Sequence, residues 1–238
     1  MKVLNRLAGL GLVALLVSAA QAQKQYIVVL DSSASRATSI TSDAQQFVTD
    51  ITKTLSRGDE LVMLEMLDQG VSGAPVTAKF HVPERSDGSP SRQEAALEAY
   101  RRGVALAVPR FFSTAGAKHL QHTDILSTLP IVAELQHDAG SRRSTVVFLS
   151  DMLQSANGIE MDKGARMPAD SYLAKAERNG TLAHLSGVCI AVVGADTTTR
   201  LGNKVKAFWQ SYFRAAGAHL DSASYRLTPP PVGTDFCR

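Results

Sequence analysis

Strands alternating with helices, unbroken apolar runs in three of the strands, and one pair of strands joined by a short turn predict an α/β fold. The expected architecture is a doubly wound, mostly parallel six-stranded sheet with one antiparallel edge strand and helices on both faces. A strand buried on both faces has no solvent side, so it loses the polar–apolar alternation of an exposed sheet.

The elements follow in order. Gln25 to Leu30 is a β-rich apolar run, too short for a helix, that ends in Asp31. Ile40, Ala44, Phe47, Val48, Ile51 and Leu55 then recur at helical spacing, and Arg57-Gly58 stops that helix. Glu60 to Leu67 reads as a second strand and Val76 to Val82 as its hairpin partner across a turn at Asp68 to Pro75. Behind Pro90, Ser91 and Glu94 form a capping box for a helix that points Leu97, Tyr100, Val104 and Val108 inward and stops before Pro109. Ile125 to Gln136 is helical in pattern, with Pro130 tolerable in the first turn. Ser144 to Ser150 is a buried strand ending in Asp151. A polar loop from Gln154 to Asp170 leads to a short helix closed by Asn179-Gly180. Gly187 to Val193 is the fifth strand. Val205, Phe208, Trp209, Tyr212 and Phe213 mark one face of an amphipathic helix, where Trp209 packs in the core rather than stacking on a carbohydrate. His219 to Leu227 gives the last strand.

The first 22 residues are a different kind of segment. Lys2 and Arg6 precede an apolar run of 14 residues (7–20), and Ala20-Gln21-Ala22 is a small-x-small cleavage pattern. The run is shorter than the roughly 18 residues a membrane span needs. It reads as a signal peptide cut after Ala22, which sends a soluble chain to the periplasm or beyond. No cysteine follows the run to carry a lipid. Residues 23–238 then form one domain with an irregular tail at 228–238. The signal carries two of the 25 basic residues, leaving 23 against 22 acids. A net charge near +1 gives no electrostatic case for nucleic acid or a membrane surface. The pairs Arg101-Arg102 and Arg142-Arg143 are too short for a binding patch and fit solvated helix ends or loops.

Two cysteines remain, Cys189 and Cys237. In an oxidising compartment they are expected to form a disulfide tying the tail to the body, with two buried thiols as the alternative. Closing a loop of roughly 50 residues would stabilise the fold by about 3–4 kcal/mol in the chain-entropy view.

In an open doubly wound sheet, ligands bind beyond the carboxyl ends of the strands where strand order reverses. Two strands here end in an aspartate, Asp31 and Asp151, and these meet in one crevice if the first and fourth strands are neighbours. Asp31 opens Asp31-Ser32-Ser33-Ala34-Ser35, in which Ser33 and Ser35 can turn hydroxyls toward Asp31's side, and Thr123 sits just before the helix at 125. Carboxylates and hydroxyls are hard oxygen donors, suited to Mg²⁺ or Mn²⁺ rather than to zinc. Taken singly the pieces are weak. Asp31 and Thr123 are also helix-capping types, and Asp151 is a turn type at a strand end.

Asp-x-Ser-x-Ser after the first strand, a Thr before a helix and an Asp after the fourth strand together resemble the metal-ion-dependent adhesion site of von Willebrand factor type A domains. The element order over about 25–227 is similar as well. The resemblance implies that Ser33, Ser35 and Thr123 are hydroxyl ligands and that Asp31 and Asp151 hold coordinated waters. It also implies that a partner protein's carboxylate fills the remaining position. The chain departs from the common pattern in having Ala34, His122 and Met152 where glycine is frequent, and Arg36 where Met is. His122 and Asp124 read as exposed loop residues beside Thr123. Met152, Met161 and Met167 offer either an adaptable contact surface or a loosely packed lid.

The implied function is a binding module, not an enzyme, in cell-envelope interaction or assembly. Its specificity would lie in the loops 36–39, 118–124 and 154–170. The rival is a metal-dependent, phosphatase-like hydrolase using the Asp31/Asp151 crevice. A haloacid dehalogenase-like enzyme, however, needs Asp-x-Asp, and Ser33 stands at the third position. No Gly-x-Ser-x-Gly elbow is present either. A fold of the same type with an inactive metal site is the third alternative.

Overall fold

The computed structural model describes residues 23–33, 39–68, 77–83, 89–116, 121–162, 167–168, 171–231 and 233–236. The signal-peptide expectation at 1–22, Ser35 and Cys237 therefore lie outside the described residues.

The sheet has six strands in the order β3-β2-β1-β4-β5-β6. These are β1 (Lys24–Leu30), β2 (Glu60–Glu65), β3 (Thr77–His81), β4 (Arg143–Leu149), β5 (Cys189–Val193) and β6 (Tyr225–Arg226). Among these six strands β2 and β3 pair antiparallel and the other pairs are parallel, as the hairpin reading requires. β1 pairs parallel with β2 on one side and with β4 on the other, so the order reverses between β1 and β4. The last strand is much shorter than 219–227: His219 makes a single bridge to Cys189, and a 3-10 turn, Ser222–Ser224, interrupts the run before β6.

Alternate residues of the central strands enter two cores, which is why their sequences read as continuous apolar runs. Ile27, Val29, Val146 and Phe148 pack under α3 (Ile125–Asp138), α4 (Tyr172–Arg178) and α5 (Arg200–Ala215). Val28, Leu30, Val147 and Leu149 pack under α1 (Ser39–Thr54), α2 (Pro90–Gly116) and Phe236 of the tail. Trp209 is fully buried among Phe208, Tyr212 and Phe213, with ring centroids 5.0–5.8 Å away. Each such aromatic, fully buried, contributes about 1.5–3 kcal/mol.

Three helix boundaries differ from the sequence reading. α2 begins at Pro90, ahead of Ser91, so Ser91 and Glu94 do not form its cap; a proline fits the first helical position, where no amide partner is needed. The same helix runs through Pro109 to Gly116. Pro109 is exposed, so the carbonyl it deprives of a donor can take water, while Phe111, Phe112 and Ala115 beyond it are buried and hold the helix on course. Pro130 is the sixth residue of α3, not in its first turn, and is likewise on the solvent side. In both helices burial of the opposite face outweighs the lost hydrogen bond.

The basic pairs do local work. Arg101 donates to the Leu55 carbonyl, Arg142 to those of Gly58 and Ala139, and Arg143 pairs with Asp235 at 3.4 Å.

Candidate metal centre

The reversal between β1 and β4 opens a crevice at their carboxyl ends, and the side chains there converge. Asp31 follows β1 directly and is 5% exposed. Its amide donates to the Leu149 carbonyl of β4, so the carboxylate is fixed against the neighbouring strand. Its Oδ2 accepts from Ser150 Oγ at 2.7 Å. Its Oδ1 accepts from the Ser33 amide at 3.0 Å and faces Thr123 Oγ1 at 3.5 Å. Ser33 and Thr123 are also buried. Asp31, Ser33 and Thr123 are thus brought together around one carboxylate oxygen.

Asp151 stands one residue beyond Ser150 on the same edge, half-buried, with Oδ1 accepting from the Leu153 amide at 2.9 Å. Ser32 turns to the other side and donates to Glu65 at the end of β2.

The backbone after Asp151 takes an unusual path. Met152 has φ +64, the left-handed region that a glycine enters freely and a side chain rarely does. The chain therefore keeps the turn that glycine commonly serves and holds it by other means. The Met152 amide donates to Ser150 Oγ, its carbonyl accepts from Trp209 Nε1 at 2.8 Å, and its side chain is fully buried. Met152 and Met161 are core residues, and Met167, half-buried, packs against the same core.

The Thr123 loop is built as firmly. Asp124 is 4% exposed, contrary to its reading as an exposed loop residue. It caps α3 by accepting from the Ser127 amide, and its second oxygen accepts from Asn157. His122 is exposed as expected, but its amide and that of Gln121 both donate to the Asp68 carboxylate. Burial and the Asp124 carboxylate push the nearby Tyr172 hydroxyl's pKa above its ordinary value.

The sequence reading missed Ser150, Gln154, Ser155 and Asp68. An Asp directly before an apolar helical run is a cap signal, so Asp124 was legible. Gln154 and Ser155 gave no signal, because a polar residue in a polar loop does not reveal that it is buried.

A scan against protein-family models finds no match, and a search of curated proteins finds none of significance. Solved structures are similar at low identity. The pilus adhesin SpaC from Lactobacillus rhamnosus GG, in its open conformation, is 14% identical with a TM-score of 0.49, over 89% of this chain and 28% of that one. A von Willebrand factor type A protein from Catenulispora acidiphila is 12% identical with a TM-score of 0.38, over 84% and 44%. The human COPII-coat protein Sec24c is 8% identical with a TM-score of 0.46, over 90% and 31%. This chain therefore spans less than half of each. The strand order of the chain itself, with its antiparallel edge and its crevice between β1 and β4, gives it a doubly wound α/β fold, consistent with the von Willebrand factor A and Rossmann-like arrangement.

Proposed function

We propose that the chain is an exported binding module that holds Mg²⁺ or Mn²⁺ at the carboxyl edge of its sheet and engages a carboxylate of a protein partner through it. The observation that carries this reading is the buried Asp31 carboxylate, with one oxygen fixed by Ser150 and the other shared by the Ser33 amide and the Thr123 hydroxyl. Oxygen donors on two neighbouring strand ends suit a hard cation. Among the described residues no group of three His, Cys, Asp or Glu side chains is placed to hold a metal ion, so an ion in this crevice would depend on hydroxyl donors as well.

In this reading Ser33, Ser35 and Thr123 hold the cation, and Asp31 and Asp151 orient its waters. The cation, when bound, supplies positive charge that neutral hydroxyl ligands leave largely unspent, and that charge attracts an acidic side chain. No nucleophile is needed. The first 22 residues direct export to the periplasm or beyond, where a Cys189–Cys237 bridge would form and cell-envelope interaction or assembly is the natural setting. Cys189 and Phe236, the neighbour of Cys237, lie in the same core, which supports that pairing. No helix among the described residues is long and apolar enough to cross a membrane.

The test is calorimetric titration of residues 23–238 with Mg²⁺ and Mn²⁺, with and without acetate as a minimal carboxylate, beside Ser33→Ala. Saturable one-to-one binding that the variant loses supports the reading. No binding by the wild type under any of these conditions sinks it.

A further inference from the structure

Thr123 and Asp151 come from different loops, separated in the chain by α3 and β4. Beside Asn157, two adjacent residues tie these loops together. The Gln154 side chain is fully buried, and its oxygen accepts from the Ile125 amide at 2.8 Å and the Leu126 amide at 3.2 Å. Its nitrogen donates to Asp124 Oδ1 at 3.1 Å and to the Ala156 carbonyl at 3.3 Å. Ser155 grips the residue that matters most. Its hydroxyl accepts from the Thr123 amide at 2.8 Å, and its own amide donates to the Thr123 carbonyl at 3.0 Å.

We infer that Gln154 and Ser155 are positioning residues that lock the Thr123 loop to the Asp151 loop and so set the metal affinity of the site; the inference rests on the metal-site reading above. Both peptide groups of Thr123 are held by Ser155, while the first two amides of α3 are held by Gln154. The Thr123 backbone is therefore held in the position from which its hydroxyl faces Asp31 Oδ1. The Met152 turn is anchored separately by Trp209, so the two residues after Leu153 extend a rigid segment rather than a loose loop. Partners that orient metal ligands in this way typically change metal affinity by about 10- to 100-fold when removed.

The experiment compares the full mature chain with Ser155→Ala, Ser155→Thr and Gln154→Leu. It measures Mg²⁺ affinity by calorimetry, metal-free melting temperature, and amide hydrogen exchange with and without Mg²⁺. Ser155→Ala removes one hydroxyl while the Ser155 amide keeps its bond to the Thr123 carbonyl, so it remains informative if Gln154→Leu fails to fold. The expected result is a roughly tenfold loss of affinity in Ser155→Ala, with restoration in Ser155→Thr, which keeps the hydroxyl. In the wild type, Mg²⁺ should slow exchange at 123–126 and 152–156 together, and in Ser155→Ala at only one of the two. Wild-type binding with unchanged affinity and unchanged paired protection in Ser155→Ala overturns the positioning role alone. Absence of binding in the wild type overturns the metal-site reading and this inference with it.

Discussion

Two polar clusters cap opposite ends of the same three strands, and they are built on opposite plans. At the amino ends of β1, β2 and β4, Gln25, Glu60 and Ser144 are paired in register and almost wholly buried. Gln25 donates to Glu60 Oε2 at 2.8 Å and to the Leu135 carbonyl, and accepts from Ser144. Lys79 approaches the other Glu60 oxygen at 3.5 Å. Beside them, each Asp59 oxygen accepts a backbone amide, from Lys24 and from Ser56. At the carboxyl end, Asp31 Oδ2 is as firmly held, but Oδ1 has one good donor and a hydroxyl at the long distance of 3.5 Å. A network whose side chains hold one another mostly at short range, as Gln25 holds Glu60 and Ser144, stabilises the fold, even with Lys79 at 3.5 Å from Glu60 Oε1. One that gathers hydroxyls loosely around a carboxylate leaves oxygen atoms able to accept something more. The contrast separates a polar cluster that is structural from one that is a site.

The largest effect should come from breaking the closed end. Gln25→Leu orphans Glu60 Oε2, the Ser144 hydroxyl and the Leu135 carbonyl in the interior. A loss of about 2–3 kcal/mol in urea unfolding is expected, since a buried polar group left without a partner costs about 1–3 kcal/mol. Mg²⁺ binding at the far end of the strands should be unchanged. Unchanged stability would mean that this end is not the finished network described.

Trp209→Phe should come next, at about 1–3 kcal/mol, because the buried Met152 carbonyl loses the indole N–H that donates to it. This variant also couples the two properties that the comparison keeps apart. Met152 sits at φ +64 by virtue of its surroundings, so loosening it should weaken Mg²⁺ binding as well as stability. Calorimetry and thermal melts on one sample would show both, and a loss of stability alone would detach the Met152 turn from the site.

At the open edge, Asp31→Asn should change metal-free stability by no more than about 1 kcal/mol. The Ser150 hydroxyl can rotate to accept from the new amide while continuing to accept from the Met152 amide. The rise in melting temperature on adding Mg²⁺ should nevertheless disappear. A large metal-free destabilisation would instead place Asp31 with the structural carboxylates.

How much of this was legible in the sequence depended on whether a residue's role is set locally or by a distant neighbour. The apolar runs gave the sheet and the short turn at 68–75 its antiparallel edge, whereas the pairing of β1 with β4 was only a condition in the sequence and is seen in the structure. That Asp31, Ser33 and Thr123 lie together was expected through the resemblance of Asp-x-Ser-x-Ser and a later Thr to a known motif, and the structure does bring them together. The length of α2 was not readable, because Pro109 is tolerated only through burial of Phe111 and Phe112 on the far side. Nor were Gln154 and Ser155, whose importance comes from amides some 30 positions away. Met152 looked like a departure from the glycine pattern; Trp209, 57 residues on, is what makes the same backbone accessible to it.

The smallest effect tests the comparison on one further carboxylate of the carboxyl edge. Asp196 follows β5, is half-buried, and its own turn satisfies it. Oδ2 accepts from the Thr199 hydroxyl at 2.6 Å, and Oδ1 from the amide and hydroxyl of Thr198 at 2.7 Å. Led by the Thr199 hydroxyl, these bonds hold its pKa down at about 2, against the ordinary 3.8. A depressed pKa means that the folded state prefers the ionised form. Its contribution to stability is therefore complete above the unfolded value and is lost as pH falls through about 2. Thr199 also caps α5 by accepting from the Gly202 amide, so the carboxylate steadies the helix start through it. An NMR titration of the Asp196 carboxyl should show this low value in the wild type and a rise toward 3.8 in Thr199→Val. Mg²⁺ should leave the titration unmoved, because a carboxylate whose oxygens are already taken up by its own turn behaves like the closed end of the sheet, whichever edge it stands on. A Mg²⁺-dependent shift at Asp196 would show that position on the edge, rather than satisfaction of the oxygens, decides which carboxylates meet the cation.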